Sequence, residues 1–278
     1  MTSSTPRFPF GENWADFLKT VDEERIVSAQ ASLARMLRAD TLSGKTFLDI
    51  GCGSGIFSLA ARRLGAKTVS FDFDGRAVQC AETLKRKYFP SDDGWRIERG
   101  SVLDGRYLAS LGRFDIVYSW GVLHHTGNMF EAVSNAAGLV AGGGMLCIAI
   151  YNDQGGSSRR WLKIKRLYNA LPVSLRPVYV AFVAAAFESK YGLARLLQGR
   201  NPLPFAGWRS RKRERGMSVW HDWTDWVGGY PFEFAKPCDI FRFVRDMGFT
   251  LVDMSTTTGY GCNEYVFVKA ACPVPDKL

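Results

Sequence analysis

The stretch FLDIGCGSGIFSLA, Phe47 to Ala60, decides the fold. A short apolar run enters a turn carrying glycines at 51, 53 and 55, and apolar residues at helical spacing follow until Gly65. This is the pattern of a strand that turns sharply into a helix. Glycine suits such a turn because it tolerates positive φ and lets a ligand lie against main-chain N–H groups with no Cβ in the way. Asp72 closes the next strand-like run, KTVSFDF, 21 residues beyond Gly51. At that separation a carboxylate can accept hydrogen bonds from a ribose diol. The two features together specify an adenosine-type ligand at the carboxyl edge of a sheet.

Outward from this unit the pattern alternates. WRIERGSV reads as a third strand, FDIVYSWG (Phe114 to Gly121) as a fourth and GMLCIAIYN (Gly144 to Asn152) as a fifth, with GRAVQCAETLKRKYF and MFEAVSNAAGLV as helices between them. Such alternation implies right-handed crossovers and a parallel sheet covered on both faces. Late strands at FTLVDMSTT and NEYVFVKA, preceded by the helix PCDIFRFVRDMG, can pair as a hairpin at the far edge. The expected fold is therefore α/β: a doubly wound, mostly parallel, seven-stranded Rossmann-like sheet with a C-terminal antiparallel hairpin and a helical lid insertion. The expected division is residues 1–152 as N-terminal helices and ligand-binding core, 153–232 as a basic, mostly helical insertion, and 233–278 as the last helix and strands of the core. Apolar spacing from Asn13 to Ala39 predicts two amphipathic helices ahead of the first strand.

Charge marks the insertion as a separate physical object. The chain of 278 residues carries a formal +9. From Gly155 to Arg215 there are 14 Lys and Arg against Glu188 and Glu214, so the rest of the chain is slightly acidic. Three roles compete for this segment: gripping an anionic substrate, binding nucleic acid, or lying on an anionic membrane with Trp161, Leu162, Leu167 and the Val178 to Phe187 run as its apolar face. A plain solvated surface is the fourth. Nucleic acid is disfavoured, because Arg209 to Arg215 is a short charge run outside any recognisable RNA module. The ten-residue apolar run is half of what a membrane-spanning helix needs. MTSSTPRFPFGENW lacks a secretory apolar core, and the six cysteines follow no disulfide rhythm, so a cytoplasmic protein with reduced thiols, peripheral at a membrane if the third role holds, is expected.

Two ligand classes compete for the glycine turn. A dinucleotide fingerprint spaces its glycines G-x-G-x-x-G to admit a pyrophosphate. Here the spacing is G-x-G-x-G, with Ile56 where a third glycine should stand and the acid Asp49 before the turn. A carboxylate there disfavours pyrophosphate and suits a ligand bearing an ammonium and a sulfonium, namely S-adenosyl-L-methionine. From about Trp14 to Lys269 the sequence resembles the class I S-adenosylmethionine-dependent methyltransferases, through LDIGCGSG, SFDFD, ERGSVLD and FDIVYSWGVLHH in order. The resemblance implies that Asp49, Gly51, Cys52, Gly53 and Gly55 hold the methionine moiety and that Asp72 holds the ribose. It further implies that Phe73, Ser101 and Val102 meet the adenine, and that Trp120 and Gly121 line the floor near the sulfonium. The family often has Asp where Ser101 stands, and core packing is the competing role for Phe73 and Val102.

Methyl transfer is an in-line displacement whose catalysis is mostly positioning and exclusion of water. A hydroxyl acceptor also gains from a base. The candidates are His124 and His125, adjacent in SWGVLHHTGN, and His221; side chains of neighbouring residues on a helical turn point about 100° apart, so His124 and His125 are not expected to share one target. No metal constellation is present, and no N/D-P-P-Y/F tetrapeptide follows the fourth strand. What remains resembles the broad branch methylating small molecules such as quinone precursors, secondary metabolites and sugars, most readily at a hydroxyl. Tyr151, Asn152, Trp220, Trp223 and Tyr230 are the acceptor-binding candidates, with a hydrophobic clamp as the competing role for the tryptophans. The expected partner is a small molecule, anionic or membrane-associated if the basic insertion contacts it. Methylation of tRNA or another macromolecule through that insertion is the alternative, and a non-catalytic S-adenosylmethionine-binding regulatory protein is the second.

Overall fold

The computed structural model describes Phe8, Phe10, Gly11, Trp14, Leu18, residues 21–199 and residues 219–271. In chain order the elements are α1 (Glu23–Leu37), β1 (Thr46–Ile50), α2 (Ile56–Arg63), β2 (Lys67–Asp72), α3 (Gly75–Tyr88), β3 (Trp95–Arg99) and α4 (Gly105–Leu111). Next come β4 (Phe114–Trp120), a 3₁₀ turn at Leu123–His125, α5 (Met129–Gly138), β5 (Val140–Tyr151), α6 (Gly156–Ala170) and α7 (Arg176–Leu197). The last are α8 (Val219–Gly228), α9 (Pro237–Arg245), β6 (Phe249–Ser255) and β7 (Cys262–Lys269). The strands form one seven-stranded sheet in the order β3-β2-β1-β4-β5-β7-β6. β1 to β5 run parallel, and β7 inserts antiparallel between β5 and β6.

Alternation along the central strands builds a core on each face. Phe47 of β1 with Ile116 and Tyr118 of β4 packs under α1 and α2 against Leu33, Leu37 and Ala60. Their neighbours Leu48 and Val117 point the other way, onto Val133, Ala136, Ile240 and Val244 of α5 and α9. With both faces covered, Phe47, Leu48 and Ile50 of β1 are all buried, and Asp49 is the one acid buried among them. Strand order reverses between β1 and β4, which opens the crevice at their carboxyl ends where open α/β sheets take ligands.

The chain leaves the sheet at Tyr151 and returns beside it. Ala235 N–H donates to the Tyr151 carbonyl and Asp153 N–H to the Ala235 carbonyl, both at 3.0 Å. Between these points α6, α7 and α8 pack around their own cluster of Trp161, Tyr168, Val180, Val183, Val227 and Phe232. Two expectations change here. Trp161, expected on an outward apolar face, is buried at the centre of this cluster, and Leu162 packs against it. Of the Val178 to Phe187 run, Val180 and Val183 are buried while Val178 and Phe182 face out. No helix among the described residues is long and apolar enough to cross a membrane. Of the two helices expected before β1, α1 is present, and most of the first lies outside the described residues.

Candidate functional site

The glycine turn lies at the reversal of strand order. Gly51, Gly53 and Gly55 all adopt positive φ, at 74°, 53° and 82°. All three are also closely covered, Gly55 by Ala81, whose Cα and Cβ each lie 2.8 Å from where a methyl would stand. A methyl group on Gly51 would stand 2.6 Å from Val122 Cγ2, and one on Gly53 would stand 2.7 Å from Trp14 Cε2. The Phe71 carbonyl accepts from the N–H groups of both Gly51 and Cys52, at 2.8 and 3.1 Å, and so fixes the turn to the end of β2.

Two carboxylates frame this turn. Asp72 accepts from Gly53 N–H at 3.0 Å on one oxygen and from Asp74 N–H at 2.9 Å on the other. Burial raises its pKa above the ordinary carboxylate value. Asp49 is buried at the end of a chain of donors: Trp95 Nε1–H donates to Ser70 Oγ (2.8 Å), Ser70 to Ser58 Oγ (2.7 Å) and Ser58 to Asp49 Oδ2 (2.5 Å). Burial outweighs the Ser58 hydrogen bond, and with the nearby Asp72 charge lifts the Asp49 carboxyl from 3.8 to about 7. A buried acid beside a second one, at a turn of bare main chain, is a site matched to a cationic group.

Beyond β4 the 3₁₀ turn carries both histidines. Its Val122 covers Gly51, so the turn lies directly against the glycine loop. The returning segment of the insertion holds it: Glu233 N–H donates to the His124 carbonyl at 2.9 Å, and His125 Nδ1 bonds the Pro231 carbonyl at 2.6 Å. His124 is fully buried, and its Nδ1 accepts from Tyr151 N–H at 3.3 Å. Burial, then the neighbouring His125 and Lys165, push its pKa well below 6.5. His125 is walled by Phe10 and Tyr151, with ring centroids 4.9 and 5.4 Å away, and burial brings its pKa to about 3. Both imidazoles are therefore neutral near pH 7.

A family model described as "Methyltransferase domain" matches residues 21–198, which span the glycine turn, both carboxylates and both histidines. The chain belongs to the methyltransferase domain family. Among curated relatives, a ribosomal protein L11 methyltransferase of Bacillus cereus (strain AH820) is 30% identical over 112 residues, covering 35% of this chain and 36% of the relative. The chain thus matches about a third of the length of these curated relatives. Among solved structures, magnesium protoporphyrin IX methyltransferase (ChlM) from Synechocystis PCC 6803 with bound SAH is 16% identical over 88% of this chain and 84% of its own, with a TM-score of 0.52. An O-methyltransferase family protein from Burkholderia thailandensis is 15% identical over 90% of this chain and 56% of its own, with a TM-score of 0.50. These likenesses show a common fold.

The other expected residues of this methyltransferase domain divide by environment. Phe73 is 51% exposed beside Asp72 and is therefore no core residue, whereas Val102 is buried in the main core. Ser101 Oγ accepts from Leu103 N–H at 3.2 Å, shaping the loop after β3. Trp120 is an exposed ring held at its Nε1–H by Glu264 of β7 (3.0 Å), and Gly121 follows with φ of 75°. Tyr151 lies against both histidines, its ring 3.9 Å from that of His124. Asn152 is taken up by the frame: its Nδ2–H donates to the Thr257 carbonyl (2.9 Å) and its Oδ1 accepts from Asn263 (3.2 Å). Trp223 packs against Phe187 in the insertion's cluster, Trp220 is exposed, and Tyr230 gives its carbonyl to Phe8 N–H (2.9 Å). The side chain of His221 lies outside the described residues.

One part of the site was missing from the sequence reading. Phe8 packs into the insertion's cluster, Gly11 N–H donates to Asp74 Oδ2 at 2.9 Å, and Trp14 covers Gly53. Phe8, Gly11 and Trp14 thus strap the insertion's cluster to the glycine turn. The aromatic spacing Phe8, Phe10, Trp14 was the available signal. Lys165 was likewise unmarked: it is buried, donates to the Trp226 carbonyl at 2.5 Å, and lies 4.9 Å from the Phe232 ring centroid.

Proposed function

We propose that the protein transfers a methyl group from S-adenosyl-L-methionine to a hydroxyl of a small molecule, leaving S-adenosyl-L-homocysteine. The cofactor supplies a methyl carbon already activated by a positive sulfur. In this reading Asp49 takes the cofactor's ammonium, the N–H groups of the glycine turn take its carboxylate, and Asp72 takes the ribose hydroxyls. The exposed Phe73 ring offers a face to the adenine, with Ser101 at its edge. Trp120 and Gly121 close the side toward β5. The acceptor lies between the strand ends and the insertion, beside Tyr151 and the histidines.

The observation that supports a hydroxyl acceptor most is the tautomer imposed on His125. By giving Nδ1–H to the Pro231 carbonyl, the neutral ring keeps its lone pair on Nε2. With its pKa at about 3 the ring is a weak base, which suffices because the attacking oxygen becomes strongly acidic as the new O–C bond forms; that lone pair then receives the hydroxyl proton. His124 has the opposite arrangement, with Nδ1 already accepting from Tyr151 N–H, and its role is to fix Tyr151.

Calorimetry with S-adenosyl-L-methionine tests the cofactor, and absence of binding would sink the proposal. The acceptor is tested by product mass on a panel of small hydroxyl compounds, with bulk tRNA and protein as competing arms; methyl incorporation confined to a macromolecule overturns the small-molecule reading. His125→Ala should lower turnover by about 10²–10⁴-fold with cofactor affinity unchanged. Full turnover in that variant would remove His125 as the base.

A further inference from the structure

We propose that the outer face of α6 and α7 docks this protein on an anionic lipid bilayer. Both helices bury one face in a single cluster, Trp161 and Tyr168 from α6 and Val180 and Val183 from α7. Each helix turns its other face away from that cluster. On α7 that side is apolar. Val178 is 68% exposed, Phe182 70%, Leu193 59% and Leu197 81%, at positions i, i+4, i+15 and i+19 of one helical stripe. Val173, in the turn leading into α7, is 74% exposed.

The outward side of α6 is cationic. Arg159, Arg160, Lys163 and Arg166 are all exposed there. Over residues 155–199 there are eight Lys and Arg against Glu188 alone. A membrane-surface element combines these properties: apolar side chains enter the boundary of the acyl region while cations stay at the level of the phosphates. Because no described helix is long and apolar enough to cross, the pair lies on the bilayer.

Charge and shape together select this occupant. A second copy of the chain would bring two strongly basic faces together. Nucleic acid would neutralise the cations but leave Val178, Phe182 and Leu197 in water. An anionic bilayer satisfies both sets at once. Docking is independent of the acceptor proposed above, and it holds whether or not that acceptor is correct.

The test is co-sedimentation of the full chain with vesicles of phosphatidylglycerol and phosphatidylcholine, against vesicles of phosphatidylcholine alone. Wild type should pellet with the anionic vesicles only, and less so as salt rises. The pair Val178→Glu and Phe182→Glu, and separately the triple change Arg159→Gln, Arg160→Gln and Lys163→Gln, should each lower partitioning by at least about tenfold. In vesicle-free buffer both variants should keep wild-type affinity for S-adenosyl-L-methionine, which shows that they fold and separates failure of docking from failure of the proposed function. Should the apolar pair misfold, the basic triple still decides. Wild type remaining in the supernatant overturns the proposal, as does a basic triple that binds like wild type. A wild-type dimer that Phe182→Glu dissociates would assign the face to a second copy and overturn it too.

Discussion

Asp49 links the stability of the fold to occupation of the site, and the link is measurable through pH. Its carboxyl is raised from 3.8 to about 7, chiefly by burial, with the Asp72 charge adding and the Ser58 hydrogen bond opposing. Between those two values the folded state holds a proton that the unfolded state has released. Stability therefore falls as pH rises through that window and levels off above about 7. The full shift is worth about 4 kcal/mol, of which about 3 kcal/mol falls between pH 5 and pH 8. His124 and His125 act in the opposite sense. Their folded pKa values are depressed, so their contribution is lost as pH drops below 6.5. The readable quantity is thus the difference between Asp49→Asn and wild type, in which the histidines cancel.

Asparagine keeps an oxygen to accept from Ser58 and carries no charge to desolvate. The advantage of Asp49→Asn over wild type in urea unfolding of the cofactor-free protein should therefore grow by about 3 kcal/mol between pH 5 and pH 8. Cofactor affinity should move the other way. An ammonium group favours the ionised carboxylate, so wild-type affinity should weaken up to about tenfold per pH unit below 7, with proton release visible by calorimetry in buffers of different ionisation enthalpy. Asp49→Asn should bind weakly without that slope. A stability difference that stays flat from pH 5 to pH 8 would refute the burial argument, and a pH-independent wild-type affinity would refute the contact between Asp49 and the ammonium.

Other perturbations separate backbone from packing. Gly44 and Gly51 share φ near 75°, but a methyl on Gly44 meets open space while one on Gly51 meets Val122. Gly44→Ala should cost about 1–2 kcal/mol for the left-handed backbone alone, and Gly51→Ala should cost about 1–3 kcal/mol more for overpacking. Equal unfolding free energies would remove the contact between the histidine turn and the glycine loop. Replacing Trp14 by Ala uncovers Gly53; an aromatic contact of about 1 kcal/mol predicts cofactor release faster by about fivefold in stopped flow. Unchanged release would mean that Trp14 does not help to hold the cofactor on the glycine turn.

What the sequence disclosed follows from where local chemistry has contrast. FLDIGCGSG is legible because a buried strand, three glycines and an acid each exclude most alternatives, and the mostly parallel sheet followed from the alternation of elements; the order of its strands did not. α4 was not legible: its seven residues bury only Leu108, so no apolar stripe announces it, and its start is set by Asp104 capping Arg106 and Tyr107. The N-terminal strap rests on contacts such as Gly11 to Asp74, 63 residues apart, which no periodicity records. The histidine pair shows a subtler limit. Adjacent side chains were expected to diverge, yet the two rings lie 4.6 Å apart and both meet Tyr151, which ends the next strand. In VYVAFVAAAF every position is apolar or aromatic, so its period carries no information about which side turns inward. Only the partner cluster fixes that, by burying Val180 and Val183 and leaving Val178 and Phe182 outside. A two-sided apolar helix is costly in water unless something covers the second side, and the exposed cations of the preceding α6 limit what that cover can be.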